Sequence, residues 1–260
     1  TLCGAGLVSM PLTLEQLEDI QAEFLADDVE IDFEKMTLWD VETATYYFEN
    51  GGQLPPEKPP QSTPQAAAPL PKVSDEDFKR WFPKFKAQVA PKFRIVCFHN
   101  AGSAENTFSG RGLRMKDDSP FVVHCADNGG ELLAVELPGR EARRTEPRFT
   151  QITTAAEAVF KVLAPVLQQP VPYVMVGHSM GTWMLFEVLK LLMARAIPLP
   201  VQLVISSFPP PSLPEAQRPW AKNRSLADAA FMDECRGWDV NEIVFEEINW
   251  KSFSGMMRDD

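Results

Sequence analysis

Cysteine, histidine and basic charge are all scarce in this 260-residue sequence, and each scarcity closes off a class of chemistry. The four cysteines (Cys3, Cys97, Cys125, Cys235) are scattered, with no C-x-x-C pair and no histidine pair at zinc spacing. They read as buried free thiols, and no metal site or cofactor is expected. Lys and Arg number 25 against 36 Asp and Glu, and the net charge of −11 argues against nucleic acid as a partner. No uncharged apolar run approaches the roughly 18 residues of a membrane span, so none is expected. The opening TLCGAGLVSMPL lacks the basic start of a secretory signal. Because the sequence opens on Thr1, an address removed upstream of it leaves the compartment open between the cytoplasm and a plastid or other organelle.

What is present divides by charge and composition. Residues 1–50 hold twelve acidic side chains and one basic one, Lys35, whereas 51–260 carries 24 of each sign. In this acidic arm, Leu17, Ile20 and Phe24 repeat at helical spacing, and Thr13 with Gln16 forms a capping box, predicting a helix over 14–26. A second helix is expected from TLWDVETATYYFENGG, with Thr37 as its cap and Asn50-Gly51 as its stop. Two such helices are too small to fold unsupported. The arm is therefore expected to dock on the body or on a larger assembly. Residues 51–72 form a linker, since the seven prolines of 51–71 sustain neither helix nor sheet.

From Val73 onward the pattern alternates. An amphipathic stretch around Asp75–Phe85 leads into four short apolar runs, FRIVCF (93–98), LLAVEL (132–137), YVMVG (173–177) and QLVIS (202–206). Helical patterns occupy roughly 152–168 and 180–195. Strands apolar on both faces and separated by helices predict an α/β fold with a mostly parallel sheet covered on two sides. Beyond Ser207 the chain is irregular, then helical near 225–235 and 246–257 with no new strand. That pattern suits a helical cap over 208–260.

The motif that carries chemistry is Gly177-His178-Ser179-Met180-Gly181, between an apolar strand and an apolar helix. G-x-S-x-G in this setting is a nucleophile elbow: the serine occupies a strained strand-to-helix turn, and the flanking glycines avoid clashes while Oγ projects above the sheet. Oxyanion donors are expected from the Met180 N–H and from the loop after the first strand, at Asn100 or Ala101. His99 reads more readily as a loop or capping residue than as a base, and His178 is expected to hydrogen-bond the scaffold.

FHNAGS, LLAVELPGREARRTEP, GHSMGTWMLFE and ISSFPPPSLP together resemble the type II thioesterases, over roughly 93–260. The most specific element is LPGRE, Leu137–Glu141. The resemblance implies an α/β-hydrolase that releases acyl chains from carrier-protein phosphopantetheine in polyketide, non-ribosomal peptide or fatty-acid synthesis. It implies an acyl carrier protein or synthase complex as partner. The first loop departs from the family's usual H-A-G-G, having lost a glycine.

A serine hydrolase also needs a base and an acid, following the serine in the order Ser, acid, His. No histidine follows His178. Either the sequence is the front of a longer enzyme, truncated after about four strands, or the protein is a catalytically inactive, thioesterase-like interaction subunit. The first is favoured because an apolar sheet edge would otherwise lie bare. Arg140, Arg143, Arg144 and Arg148 offer a basic cluster for a carrier's phosphate, against the alternative of local pairing with Glu136, Glu141 and Glu146. Trp220, Trp238, Trp250, Phe231, Phe245 and Phe253 either line an acyl tunnel or pack the cap.

Overall fold

The computed structural model describes residues 37–39, 72–110, 117–220, 223–238 and 240–260. The predicted helix at 14–26 and all of the proline-rich stretch except Lys72 lie outside them. Five strands form one sheet: β1 (Thr37–Trp39), β2 (Phe93–Phe98), β3 (Gly130–Ala134), β4 (Tyr173–His178) and β5 (Gln202–Ser206). The spatial order is β1-β5-β4-β2-β3. β5, β4, β2 and β3 are mutually parallel, and β1 joins β5 antiparallel with Thr37 opposite Ile205.

Residue alternation along each strand feeds two separate cores. Val96, Phe98, Leu133, Tyr173, Met175 and Leu203 face helices α1 (Asp75–Trp81), α4 (Ile152–Leu167) and α5 (Met180–Ala194). Ile95, Cys97, Leu132, Ala134, Val174 and Val204 face α2 (Asn106–Ser109) and α3 (Pro120–Asn128). Both faces being covered explains the unbroken apolar runs. A third cluster joins helices α6 (Asp228–Arg236) and α7 (Glu247–Asp259), in the segment expected to form a cap, around Phe231, Cys235, Trp250 and Met257. Cys97, Cys125 and Cys235 are free and buried. No helix of the described residues is long and apolar enough to cross a membrane.

Three sequence expectations change here. Thr37 does not cap a helix: Thr37–Trp39 is a strand on the β5 edge. A β-prone triplet beside unpaired backbone gains ladder hydrogen bonds that a local capping signal cannot match. The LLAVEL strand begins two residues early, at Gly130, and ends at Ala134. Gly130 lies opposite Phe93, whose ring fills the space a Cβ would occupy, and the charge of the next residue, Glu131, is cancelled by Arg94 on β2 at 2.7 Å. Helix α3 was not expected. It starts on Ser119, whose hydroxyl accepts the Val122 N–H, has Pro120 in its first turn, and ends on Gly129 at φ 74°.

Candidate active site

The β4–α5 turn is built as the G-x-S-x-G motif requires. Ser179 sits at φ 50°, ψ −126°, a strained conformation for a residue with a side chain. Its N–H donates to the Ser206 carbonyl at 2.9 Å, and its carbonyl accepts the Thr182 N–H at 2.8 Å. The buried Thr182 hydroxyl donates to Gly177 O at 3.2 Å. Neither flanking glycine tolerates a side chain. A Cβ on Gly181 would lie 2.0 Å from the Phe98 carbonyl oxygen, and one on Gly177 would lie 2.8 Å from Thr182 Cα. The elbow is therefore clamped between β2, β5 and the first turn of α5, and Ser179 is half-buried at the helix N-terminus.

Met180 opens α5, and its N–H has no backbone acceptor among the described residues; the same holds for Asn100 and Ala101 in the loop after β2. These are the groups expected to receive an oxyanion, and they are uncommitted. The loop is held by side chains. The Gly102 N–H, at φ 71°, donates to Asp260 Oδ2 at 2.9 Å, and the Glu105 N–H donates to Glu136 Oε2 at 3.2 Å.

No histidine among the three serves the serine. His99 is 2% exposed; its Nδ1 lies 2.8 Å from Asn100 O and its Nε2 lies 3.4 Å from Arg140 Nη1. Burial, helped by the Arg140 charge, drives its pKa down to about 3, so the ring is neutral, with Nδ1–H donating and Nε2 accepting. His178 lies with Nδ1 3.0 Å from Ser206 Oγ, and burial lowers its pKa to about 4. His124 is on α3 beside Asn128. Ser206, at the end of β5, props His178 through its hydroxyl and the Ser179 amide through its carbonyl.

The arginine cluster divides. Arg143 is 6% exposed, stacks over Trp81 at 4.2 Å, donates to Glu136 O at 2.8 Å and pairs with Glu146 at 2.8 Å. Three Arg143 hydrogen bonds and one from Arg80 hold the Glu146 pKa down to about 2. Arg140 is buried against Asp260 and His99, and Arg148 pairs with Asp259 at 2.6 Å. Of the four arginines, Arg144 and Arg148 are exposed, and Arg148 is engaged by Asp259. Arg140 and Arg143 are thus spent inside the fold, because α1, the 141–146 turn and α7 bring partners that a linear reading cannot pair.

The aromatics also divide. Trp238, Trp250, Phe231, Phe245 and Phe253 belong to the third hydrophobic cluster, around α6 and α7. Trp220 instead stacks on Phe208 at 4.8 Å, next to Trp183 of α5. Sequence reasoning passed over Asp260, which no strand precedes, and Trp183, four residues after Ser179; that spacing on a helix was the available signal for Trp183.

Residues 93–260 match the thioesterase domain family. The chain belongs to that family. GrsT, a gramicidin S biosynthesis protein of Aneurinibacillus migulanus, is 26% identical over 174 residues, covering 66% of this chain and 62% of its own length. RedJ, a thioesterase from the prodiginine pathway of Streptomyces coelicolor, superposes with a TM-score of 0.53 at 25% identity over 65% of this chain and 61% of its own. BorB, the type II thioesterase of the borrelidin biosynthetic cluster, gives 0.51 at 25% identity over 72% and 69%. The thioesterase domain is of the α/β-hydrolase type shared with these solved structures, and the chain spans less than two thirds of GrsT and RedJ.

Proposed function

We propose that Ser179 is the nucleophile of an acyl-thioester hydrolase that clears acyl chains from the phosphopantetheine arm of a carrier protein. The observation that carries this reading is the strained serine, at φ 50°, ψ −126°, locked between two glycines at the mouth of α5. In this mechanism Ser179 Oγ attacks the thioester carbonyl carbon and its proton passes to a base. The tetrahedral oxygen is received by the Met180 N–H and by the Asn100 or Ala101 N–H. The C–S bond then breaks, the thiol leaves with the proton, and water hydrolyses the acyl-enzyme. A thiolate departs readily, so oxyanion geometry matters more than help to the leaving group. The reaction needs no metal or redox group.

Neither His99 nor His178 is placed as that base, since His99 Nε2 is occupied by Arg140 and His178 Nδ1 by Ser206. Carrier recognition falls to Arg144 and neighbouring exposed charge. The acidic residues 1–50 are the candidate attachment to a synthase assembly.

A fluorophosphonate probe on the native full-length protein tests this. Wild type is expected to label at Ser179, Ser179→Ala to lose the label, and acyl-carrier hydrolysis to fall by about 10⁴-fold or more in the variant, as coupled nucleophile and base fail together. A folded full-length protein that neither labels nor hydrolyses acyl-carrier would leave the interaction-subunit reading in its place.

A further inference from the structure

We infer that Arg140 and Asp260 are positioning residues that fasten the cap helix α7 to the loop after β2, and so hold the oxyanion donor of that loop in register with Ser179. The inference rests on the proposed role of Ser179 and adds to it a control that comes from the cap.

The loop 99–105 has little regular backbone bonding of its own. One amide in its middle, Gly102 N–H, is captured by a carboxylate from a remote part of the chain, Asp260 Oδ2 at 2.9 Å. The Asp260 side chain is 5% exposed, and its second oxygen accepts from Arg140 Nη2 at 2.5 Å. Arg140 in turn reaches His99, the first residue of the loop, through Nη1 at 3.4 Å. A single guanidinium therefore joins both parts of the loop, directly at His99 and through Asp260 at Gly102. Its charge also lies beside the carboxyl end of α7, where a cation is favoured.

The grip has an apolar half as well. Met257, one turn before Asp260 on α7, lies with Cγ 3.0 Å from where a Gly102 Cβ would stand. Met257 belongs to the cap core with Phe231 and Trp250. Repacking of the cap, for instance around an acyl chain, is thus transmitted to Gly102, immediately after the candidate donors Asn100 and Ala101. Burying this ion pair is costly unless its geometry is tight. Tight bonding to a loop amide, rather than to solvent, is what makes it a positioning device.

The test compares wild type with Asp260→Asn, Arg140→Lys and, as a control on the exposed Lys251–Glu247 pair of α7, Lys251→Ala, all in the full-length protein. Amide hydrogen exchange of the 99–105 segment and the rate of fluorophosphonate labelling at saturating and sub-saturating probe are both measured. Asp260→Asn is expected to speed exchange at Gly102 by about 10-fold or more and to lower the maximal labelling rate by about 10-fold with probe affinity unchanged, since a misplaced donor weakens the transition state. Arg140→Lys, keeping charge but not the two-armed reach, is expected to fall between. Lys251→Ala is expected to change neither. Faster exchange with an unaltered labelling rate, or no change in either, overturns the inference while leaving Ser179 as nucleophile. Should wild type itself fail to label, the proposed function fails, and unchanged Gly102 exchange in Asp260→Asn would still overturn the anchor separately. Should Asp260→Asn not fold, Arg140→Lys carries the comparison.

Discussion

Arg94 and Arg140 each form an ion pair whose two side chains are both buried, near opposite ends of the same sheet, and they are finished very differently. Near the amino end, Arg94 is 2% exposed and spends Nε on Glu131 at 2.7 Å, Nη1 on Val166 O at 2.8 Å and Nη2 on Gln169 Oε1 at 2.5 Å. Glu131's other oxygen accepts the Gln88 N–H at 3.0 Å. Near the carboxyl end, among the described residues, Arg140 has partners for two nitrogens but none for the buried Nε, and the neighbouring Glu136, fully buried, has none for Oε1. Burial, with the nearby Glu105 adding to it, pushes Glu136 up to about 7 against the relief of the Glu105 N–H and Arg140. A saturated ion pair locks two strands and two connections into one block. An unsaturated one stands where a loop has to be held yet has to answer to substrate.

The contrast can be broken most forcefully at the saturated end. Arg94→Met strands a buried Glu131 charge and is expected to cost about 3–5 kcal/mol in urea unfolding. Pairing it with Glu131→Leu should restore most of that, and the folded fraction should label at Ser179 as before. A milder test is Glu136→Gln. A carboxyl whose folded pKa is about 7 against an ordinary 4.5 favours the folded state only while protonated, so wild type loses stability as pH rises from about 4.5 to about 7. The loss is at most about 3 kcal/mol. The amide variant lacks that slope, so it should match wild type near pH 4.5 and exceed it at pH 8; parallel stability curves would dissolve the distinction between the two ends. The smallest effect is expected from the exposed Arg144: Arg144→Ala should leave stability within about 0.5 kcal/mol, while weakening carrier binding and flattening its salt dependence. Unchanged binding would remove Arg144 from the carrier surface.

How far the sequence could be read follows the same division. FRIVCF and YVMVG announced β2 and β4 because both of their faces are apolar, and G-x-S-x-G located the elbow because glycine is demanded by local backbone contacts. The start of β3 stayed hidden, since Gly130 and Glu131 look like turn residues until Phe93 and Arg94 lie across from them. Helix α3 was announced by Ser119, Pro120 and Gly129, a cap, a first-turn proline and a left-handed stop, and could have been read. The Arg140–Asp260 link could not: the partners are far apart in the chain, and nothing local marks an arginine that will be enclosed. Charges that tertiary structure buries are where linear pattern has least to say.

Strand β1 has a consequence for the order of assembly. Thr37–Trp39 leave the ribosome long before Gln202–Ser206, the segment they border. At roughly 5–20 residues per second, they wait on the order of ten seconds without their neighbour. The edge of β5 is therefore stitched by a segment made well before its neighbour.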